Sequence, residues 1–380
     1  MRVIHVTPSY KPAYIYGGTT ISVGLLCEGL QELQIEVLVY TTTANGSKNL
    51  WSNEKETKVN EVKVIYFKRW LKGQMHLSYS LLKKLYNVTL KKDIYHIHSW
   101  WNATAILSAV VGIILGNKVI LSPRGMLTYY SLNNKHSHLK KIFQKYIGKW
   151  ILSRCLIHVT SEMEKQDVLQ IMNHKRISVI PNLAGKTIGI VENKLNKNNV
   201  STDFKVLFFS RIDKKKGIEI LLLGLSKLEF TWHLSIAGSG VDTYIQSLKS
   251  EIERLQIEQN ISWLGFIPHQ MRMEVFNRHD LLVLFSQNEN FANVILESLA
   301  VGLPVAISEN VGLAEFVIEN NLGWVSTNEP DDITLVIGKA FKEADKRASI
   351  RKNAPSLIER NFDNHAICAK YLALYKSDEF

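Results

Sequence analysis

Residues 281–308 read LLVLFSQNENFANVILESLAVGLPVAIS, and the division of that stretch sets the architecture of the chain. Leu281–Phe285 is a short apolar run of strand length. Helical spacing begins near Ala292–Asn293 and is stopped by Gly302 and Pro304, after which Pro304–Ser308 is again strand-like. Strand, loop, helix and strand in this order make a parallel βαβ unit. The same alternation extends back through predicted strands at Lys205–Ser210, His233–Ala237 and Ile261–Leu264, each followed by a helical pattern. Repeated βα units of this kind build a doubly wound sheet.

The first half obeys the same rule. Strands are predicted at Val3–Val6, Val37–Tyr40, Val62–Phe67, Ile94–His98, Lys118–Ser122, Leu156–Thr160 and Ser178–Ile180, with helical patterns between most of them. The text turns polar after Pro181, with Gly185, Gly189 and the run Asn196-Lys197-Asn198-Asn199, and regains strand character at Phe204. The expected organisation is therefore an α/β domain over 1–185, a linker over 186–203, a second α/β domain over 204–362, and a closing amphipathic segment over 363–380 that folds back on the first domain. A chain of 380 residues accommodates two such cores comfortably.

Composition narrows the function classes. The longest apolar run, Ala105–Gly116, falls short of the ~20 residues that cross a bilayer. The strand-like Val3–Val6 leaves no space for a cleavable secretory leader, so a cytoplasmic protein is expected. Cys27, Cys155 and Cys368 are odd in number and set in apolar patterns, which fits reduced core thiols rather than disulfides or a metal site. Of the +11 net charge, residues 1–181 carry 24 Lys/Arg against 10 Asp/Glu, whereas 182–380 carry 22 against 25. The basic half is compatible with nucleic acid, an anionic membrane leaflet or a diphosphate-bearing substrate. Its aromatic residues follow core periodicity and not the spacing of a stacking platform, which argues against nucleic acid.

Ligands of open α/β sheets bind beyond the carboxyl ends of the strands, where glycine turns and helix N-termini receive phosphates. Three strand ends have the right chemistry. Val6–Tyr10 leads to Gly17-Gly18 at a helix start. Phe209–Gly217 places Arg211 and Lys216 on a loop, where they could neutralise a diphosphate. Glu289 and Glu297 flank the start of the helix that opens at Asn293. Glu297 interrupts an otherwise apolar helix, so hydrogen-bond donors are required beside it, and sugar or ribose hydroxyls would serve.

These segments resemble retaining glycosyltransferase family 4. Glu289–Val305 resembles its E-x7-E motif, Ser210–Gly217 its G-R-x-x-x-x-K-G loop, Ile236–Gly240 its I-x-G-x-G turn, and Val179–Asn182 its V-I-P-N segment. The resemblance implies a GT-B fold, two Rossmann-like doubly wound parallel-sheet domains facing a cleft. It implies a hexosyltransferase that needs no metal or other cofactor and draws on a nucleotide-diphosphate sugar as donor. The subset it is most similar to builds bacterial capsule, lipopolysaccharide O-antigen or exopolysaccharide, with a glycan or polyprenyl-diphosphate-linked acceptor. Residue by residue, Arg211 and Lys216 would bind the donor diphosphate, helped by the backbone at Asn293 and Val294 and by Phe291-Ala292 before them. Gly238 belongs to the glycine turn, Ile267 after Phe266 would flank the base, Glu289 would contact the transferred sugar, Glu297 would hold the ribose, and Gly18 would approach the diphosphate from the other domain.

Departures from the family pattern are Ser210 and Ala292 in place of glycines, and Pro123-Arg124-Gly125, which puts Arg124 where many relatives have a histidine. Arg124 is expected to act as a fixed cation near the phosphates or the acceptor. His98, which shares a strand face with His96 by the period of two, is either an acceptor-site residue or a buried polar group. Two imidazoles without other ligands make a poor metal site. The alternatives to a transferase, a same-fold epimerase or phosphorylase and a basic nucleic-acid-binding protein, have no supporting motif.

The segment from Lys135 to Leu152 carries Leu139, Ile142, Phe143, Tyr146, Ile147 and Trp150 on one face and Lys140, Lys141, Lys145 and Lys149 elsewhere. The ordinary expectation is that the apolar face packs on its own sheet. The rival is a helix that meets anionic lipid, together with Lys68–Lys72 and Lys83-Lys84, as a peripheral protein of the inner membrane face.

Overall fold

The computed structural model describes residues 1–70, 75–133, 137–185 and 203–377. Of the sequence expectations, the linker from 186 to 202 and the basic residues Lys72 and Lys135 lie outside the described residues. The chain divides into two compact units, Met1–Leu183 with Asn364–Phe380, and Ala184–Asp363.

In the first unit the strands are β1 (Arg2–Val6), β2 (Glu36–Thr42), β3 (Ala44–Asn45), β4 (Lys48–Asn49), β5 (Lys55–Val59), β6 (Val62–Phe67), β7 (Ile94–His98), β8 (Lys118–Ser122), β9 (Leu156–Val159) and β10 (Ile177–Val179). Eight of them form one sheet in the order β10-β9-β8-β7-β1-β2-β6-β5, while β3 and β4 make a small hairpin of their own. Only β5 runs antiparallel to its neighbour in the large sheet. The strands β7, near the middle of the sheet, and β9, next to its edge, are buried at every residue. This is why they read as unbroken apolar or neutral runs, since helices cover both faces of a parallel sheet.

The helix Asn364–Lys376 belongs to this unit and completes its core, with Ile367, Tyr371 and Tyr375 buried. The Tyr375 hydroxyl lies 2.7 Å from His96 Nδ1 on β7, and Lys118 Nζ donates to the Tyr375 carbonyl at 3.1 Å.

The second unit contains β11 (Phe204–Phe209), β12 (Trp232–Ala237), β13 (Ile261–Gly265), β14 (Leu281–Leu284), β15 (Val305–Ser308) and β16 (Gly323–Ser326). Its sheet order is β13-β12-β11-β14-β15-β16. All five pairings are parallel. Right-handed crossovers then force the helices before and after the reversal at β11/β14 onto opposite faces.

One sequence expectation is overturned here. The segment Ser137–Phe143 is α-helical, Gln144–Gly148 is a π-turn, and Lys149–Leu152 is α-helical again. Gln144, Gly148, Ile151 and Leu152 face the core, whereas Leu139, Ile142, Tyr146 and Trp150 are 70%, 59%, 66% and 40% exposed. The reason is local. The buried Trp100 indole needs an acceptor and finds Gln144 Oε1 at 3.1 Å. Gly148 makes room for that side chain, because a Cβ there would sit 2.6 Å from Gln144 Oε1. The π-turn points Gln144 inward and leaves most of the apolar stripe facing out.

Candidate functional site

In the second unit the strand order reverses between β11 and β14, so the carboxyl ends of those two strands define a topological switch point. The loop after β11 carries Arg211 and Lys216, and the loop after β14 carries Glu289. The two loops are tied together, since Gln287 N–H donates to the Lys215 carbonyl at 2.9 Å. Glu289 is anchored further by its N–H to the Asn310 carbonyl at 2.9 Å and its own carbonyl to Gly312 N–H at 2.8 Å.

Glycines allow this crowding. Gly217 has φ 69° and a Cβ would fall 2.0 Å from the Phe285 carbonyl oxygen. Gly238 is tighter still, 1.8 Å from the Ser210 carbonyl oxygen, with φ 147°. Backbone thus meets backbone where side chains would keep the loops apart.

Charge is concentrated at the loops. Lys216 is ion-paired with Glu289, and both side chains are mostly buried. Burial pushes the Lys215 ammonium below its ordinary pKa, with Glu289 opposing that shift and Lys216 and Arg211 adding to it. Arg211 is exposed and has no ion-pair partner among the described residues. A guanidinium held at a strand end with no carboxylate beside it is a ready anion contact.

The helix Asn293–Ala300 starts immediately beyond. Its N-cap, Ala292, has φ 63° and ψ 72°, a left-handed conformation that glycine adopts more easily. The amides of Asn293 and Val294 lie in the first turn of this helix, at the positive end of its dipole. Glu297, one turn further, is answered within the protein: Arg272 Nη1 reaches its two carboxylate oxygens at 3.0 and 2.8 Å. The donor that the sequence argument demanded is therefore a guanidinium, itself held 5.2 Å above the Phe209 ring. Arg272 was not identified from sequence. Gly265, with φ 65°, turns the chain after β13, and Phe266 is 59% exposed beside the half-buried Ile267.

The first unit has its own switch point at β1, flanked by β7 and β2. Beyond β1, Gly17 and Gly18 start the helix Gly18–Glu32, and nothing lies within 4 Å of a Cβ added at either position. Arg124, in the left-handed region at φ 56°, follows β8. Its Nη1 donates to Asn182 Oδ1 at 2.6 Å and its Nη2 to His98 Nδ1 at 3.3 Å. The turn is clamped by the buried Glu164, which accepts the N–H groups of Gly125 and Thr160 at 2.7 and 2.8 Å.

His98 is fully buried, and both its ring nitrogens are occupied within the protein. It touches Arg124 and meets no accessible surface, the arrangement of a buried polar group. Because Nδ1 accepts from Arg124, His98 donates through Nε2 to His5 Nδ1 at 3.0 Å. A second chain runs beside it. His158 Nε2 donates to the Ile180 carbonyl at 2.9 Å, so Ser122 donates to His158 Nδ1 at 2.6 Å. His96 Nε2 then donates to Ser122 Oγ at 2.7 Å and His96 Nδ1 accepts from Tyr375.

Burial, reinforced by Arg124, lowers the pKa of His5 and of His158 to about 3 and holds His98 well below the ordinary value. His96 is likewise held well below, by burial and by its imidazole neighbours. His5, His96 and His98 converge closely enough to suggest a cation site, with ring nitrogens within 4.8 Å of one another. Their lone pairs are already committed to hydrogen bonds and Arg124 stands beside them, so the set fits a neutral network better than a metal. Cys27, Cys155 and Cys368 are buried free thiols. No helix among the described residues is long and apolar enough to cross a membrane.

Comparison with known proteins covers both units. Residues 16–183 match the family described as Glycosyltransferase Family 4, and residues 190–357 match Glycosyl transferases group 1. An uncharacterized glycosyltransferase of Methanocaldococcus jannaschii is 27% identical over 99% of this chain and 98% of its own length. The O-antigen biosynthesis glycosyltransferase WbnH of Escherichia coli is 29% identical over 47% of this chain and 48% of its own. Among solved structures, sucrose-phosphate synthase of Thermosynechococcus elongatus superposes with a TM-score of 0.78 at 17% identity, over 99% of this chain and 98% of that one. Anabaena HepE, in complex with UDP-glucose, gives 0.74 at 20% identity, over 98% of this chain and all of that one.

Proposed function

We proceed from the fact that this chain belongs to the family 4 glycosyltransferases and has their GT-B fold, and we propose that it moves a sugar, with retention of anomeric configuration, from a nucleotide-diphosphate sugar to a glycan. The observation that carries the proposal is the switch point of the second unit, where the unpaired Arg211, the Lys216–Glu289 pair and the amide end of the Asn293 helix share connected loops. These groups suit a pyrophosphate. Arg211 and Lys216 would bind its oxygens, and the amides of Asn293 and Val294 would add positive potential. A diphosphate arriving beside Lys216 would release Glu289 from its ion pair, freeing the carboxylate for hydroxyls of the transferred sugar. Glu297, fixed by Arg272, would accept from the ribose, and Ile267 would flank the base.

In this reading the nucleotide departs as the sugar bond breaks. The acceptor hydroxyl attacks from the same face, and its proton passes to the departing phosphate oxygen. Cationic side chains stabilise the leaving group, so no metal is required. HepE with UDP-glucose supports a nucleotide-sugar donor, and the O-antigen relative supports a place in bacterial surface polysaccharide synthesis, where the acceptor would be a glycan or a polyprenyl-diphosphate-linked one. Such an acceptor would be met on the cytoplasmic face of the membrane.

The test is a thermal-shift screen of the full chain against a panel of nucleotide sugars and nucleoside diphosphates. A ligand at roughly a hundred times its Kd adds about 2.7 kcal/mol, hence roughly 5–10 °C. Arg211→Ala should lose the response while melting as the wild type does without ligand, because the side chain is exposed and unpaired. If no member of the panel shifts the wild type, or if Arg211→Ala responds undiminished, the donor-site assignment fails.

A further inference from the structure

We infer that the outward face of the helical segment 137–152 is a docking surface for an anionic phospholipid bilayer. Leu139, Ile142, Tyr146 and Trp150 project from it, 70%, 59%, 66% and 40% exposed, opposite the buried Gln144, Gly148, Ile151 and Leu152. An outward apolar stripe on a helix already anchored by its other side is unpartnered surface.

Charge identifies the occupant. From Ile94 to Ser161 the sequence contains no Asp or Glu and eight Lys or Arg. Lys141, Lys145 and Lys149 are exposed, and no carboxylate among the described residues pairs with them. Lys145 Nζ lies 5.4 Å from the centre of the Tyr146 ring and Arg154 Cζ lies 4.6 Å from that of Trp150, so cations and rings share the rim. Aliphatic side chains and interfacial aromatics on one face, flanked by uncompensated lysines, are the composition of a helix lying in the plane of an acidic membrane. The helix Ala103–Ile114 touches both the Lys149–Leu152 turn and the helix Tyr79–Val88, where Tyr79 and Tyr86 are exposed beside Lys83 and Lys84.

A second copy of this chain fits the face poorly. A two-fold contact would set one lysine-rich patch against its own image, and like charges across an interface repel. Nucleic acid would use the lysines but leaves Leu139 and Ile142 without a role. The inference deepens the proposed function, resting on the reading that the acceptor is lipid-borne, because it names the surface on which such an acceptor would be met.

The experiment is co-sedimentation of the full chain with vesicles of phosphatidylcholine, with or without roughly a quarter phosphatidylglycerol. Binding is expected only with the anionic vesicles and should weaken as salt rises. Lys141→Glu with Lys145→Glu should reduce it by roughly twentyfold or more, since each lysine at such a surface contributes about fivefold. Leu139→Ser with Ile142→Ser and Trp150→Ser should reduce it by roughly tenfold or more. Val241→Ser, an equally exposed position in the second unit, should change nothing. Circular dichroism melts check that the variants fold.

Three results would overturn the inference: vesicle binding by the wild type that is absent or indifferent to phosphatidylglycerol, a wild-type dimer that the Leu139 and Ile142 substitutions split, or an RNA complex that needs the same lysines while vesicles do not bind. The nucleotide-sugar thermal shift, measured on the same variants, reports the donor site separately. A retained shift with lost vesicle binding would leave both readings standing; a retained shift with no wild-type vesicle binding would remove the docking surface alone.

Discussion

Lowering the pH from 7 to 5 should destabilise the first unit far more than its carboxylates can account for. His5 and His158 are held neutral by burial, with pKa values lowered from 6.5 to about 3. The sign follows from linkage: a base whose folded pKa is depressed binds its proton only in the unfolded chain. Its contribution is intact above the unfolded value near 6.5 and is lost as pH falls towards the folded value. Between pH 7 and pH 5 each such imidazole costs about 1.9 kcal/mol, so His5 and His158 together cost about 4 kcal/mol. His96 and His98, held well below the ordinary value by burial, shift stability in the same direction.

Scanning calorimetry of the full chain at constant ionic strength should show a transition that falls by roughly 8–16 °C over this range from the first pair alone. The variant His5→Leu should lower the number of protons taken up on unfolding by about one, which identifies the source. Uptake of fewer than about one proton by the wild type at pH 5, or no fall in the transition, would refute the neutral network.

The Arg272–Glu297 pair predicts an asymmetry between its members. Arg272→Ala leaves a mostly buried carboxylate unanswered and should cost about 2 kcal/mol, whereas Glu297→Gln keeps an acceptor and should cost less than about half of that in a denaturant titration. Ala292→Gly should stabilise the chain by about 0.5–1 kcal/mol, because relief of the left-handed Ala exceeds the entropy of the added glycine; a lower denaturation midpoint would contradict this.

The residues of the donor loops were legible because each sits at the end of an apolar run. Phe204–Phe209 and Leu281–Leu284 are buried parallel strands, and the polar residues directly after them have nowhere to lie except on the switch-point loops. Other elements lacked such a signal. The strand β5, Lys55–Val59, is an exposed polar edge without an apolar stripe. The strand β16 begins at Gly323, where a Cβ would fall 2.1 Å from the Val305 carbonyl oxygen, a requirement that in sequence looks like any turn glycine. Arg272 reaches Glu297 from the first residue of the helix Arg272–Asn277 across to the helix Asn293–Ala300, a pairing between two helices that no local periodicity records. The histidine network depends on strand register, which sets His5 opposite His96 and His98 opposite Ser122. The outward turn of 137–152 follows from the demand of Trp100 for an acceptor, which no periodicity records.

The first unit is not made from one continuous piece of chain. Tyr371 and Tyr375 lie in its interior, and the hydroxyl that completes the His96 chain comes from a helix separated from β7 by the whole second unit. During synthesis on the ribosome, residues 1–183 must therefore wait with that cavity unfilled, while 184–363 emerge and are free to finish first. The order of maturation is thereby the reverse of the order of translation, because the helix that closes the first unit is made only after the second unit.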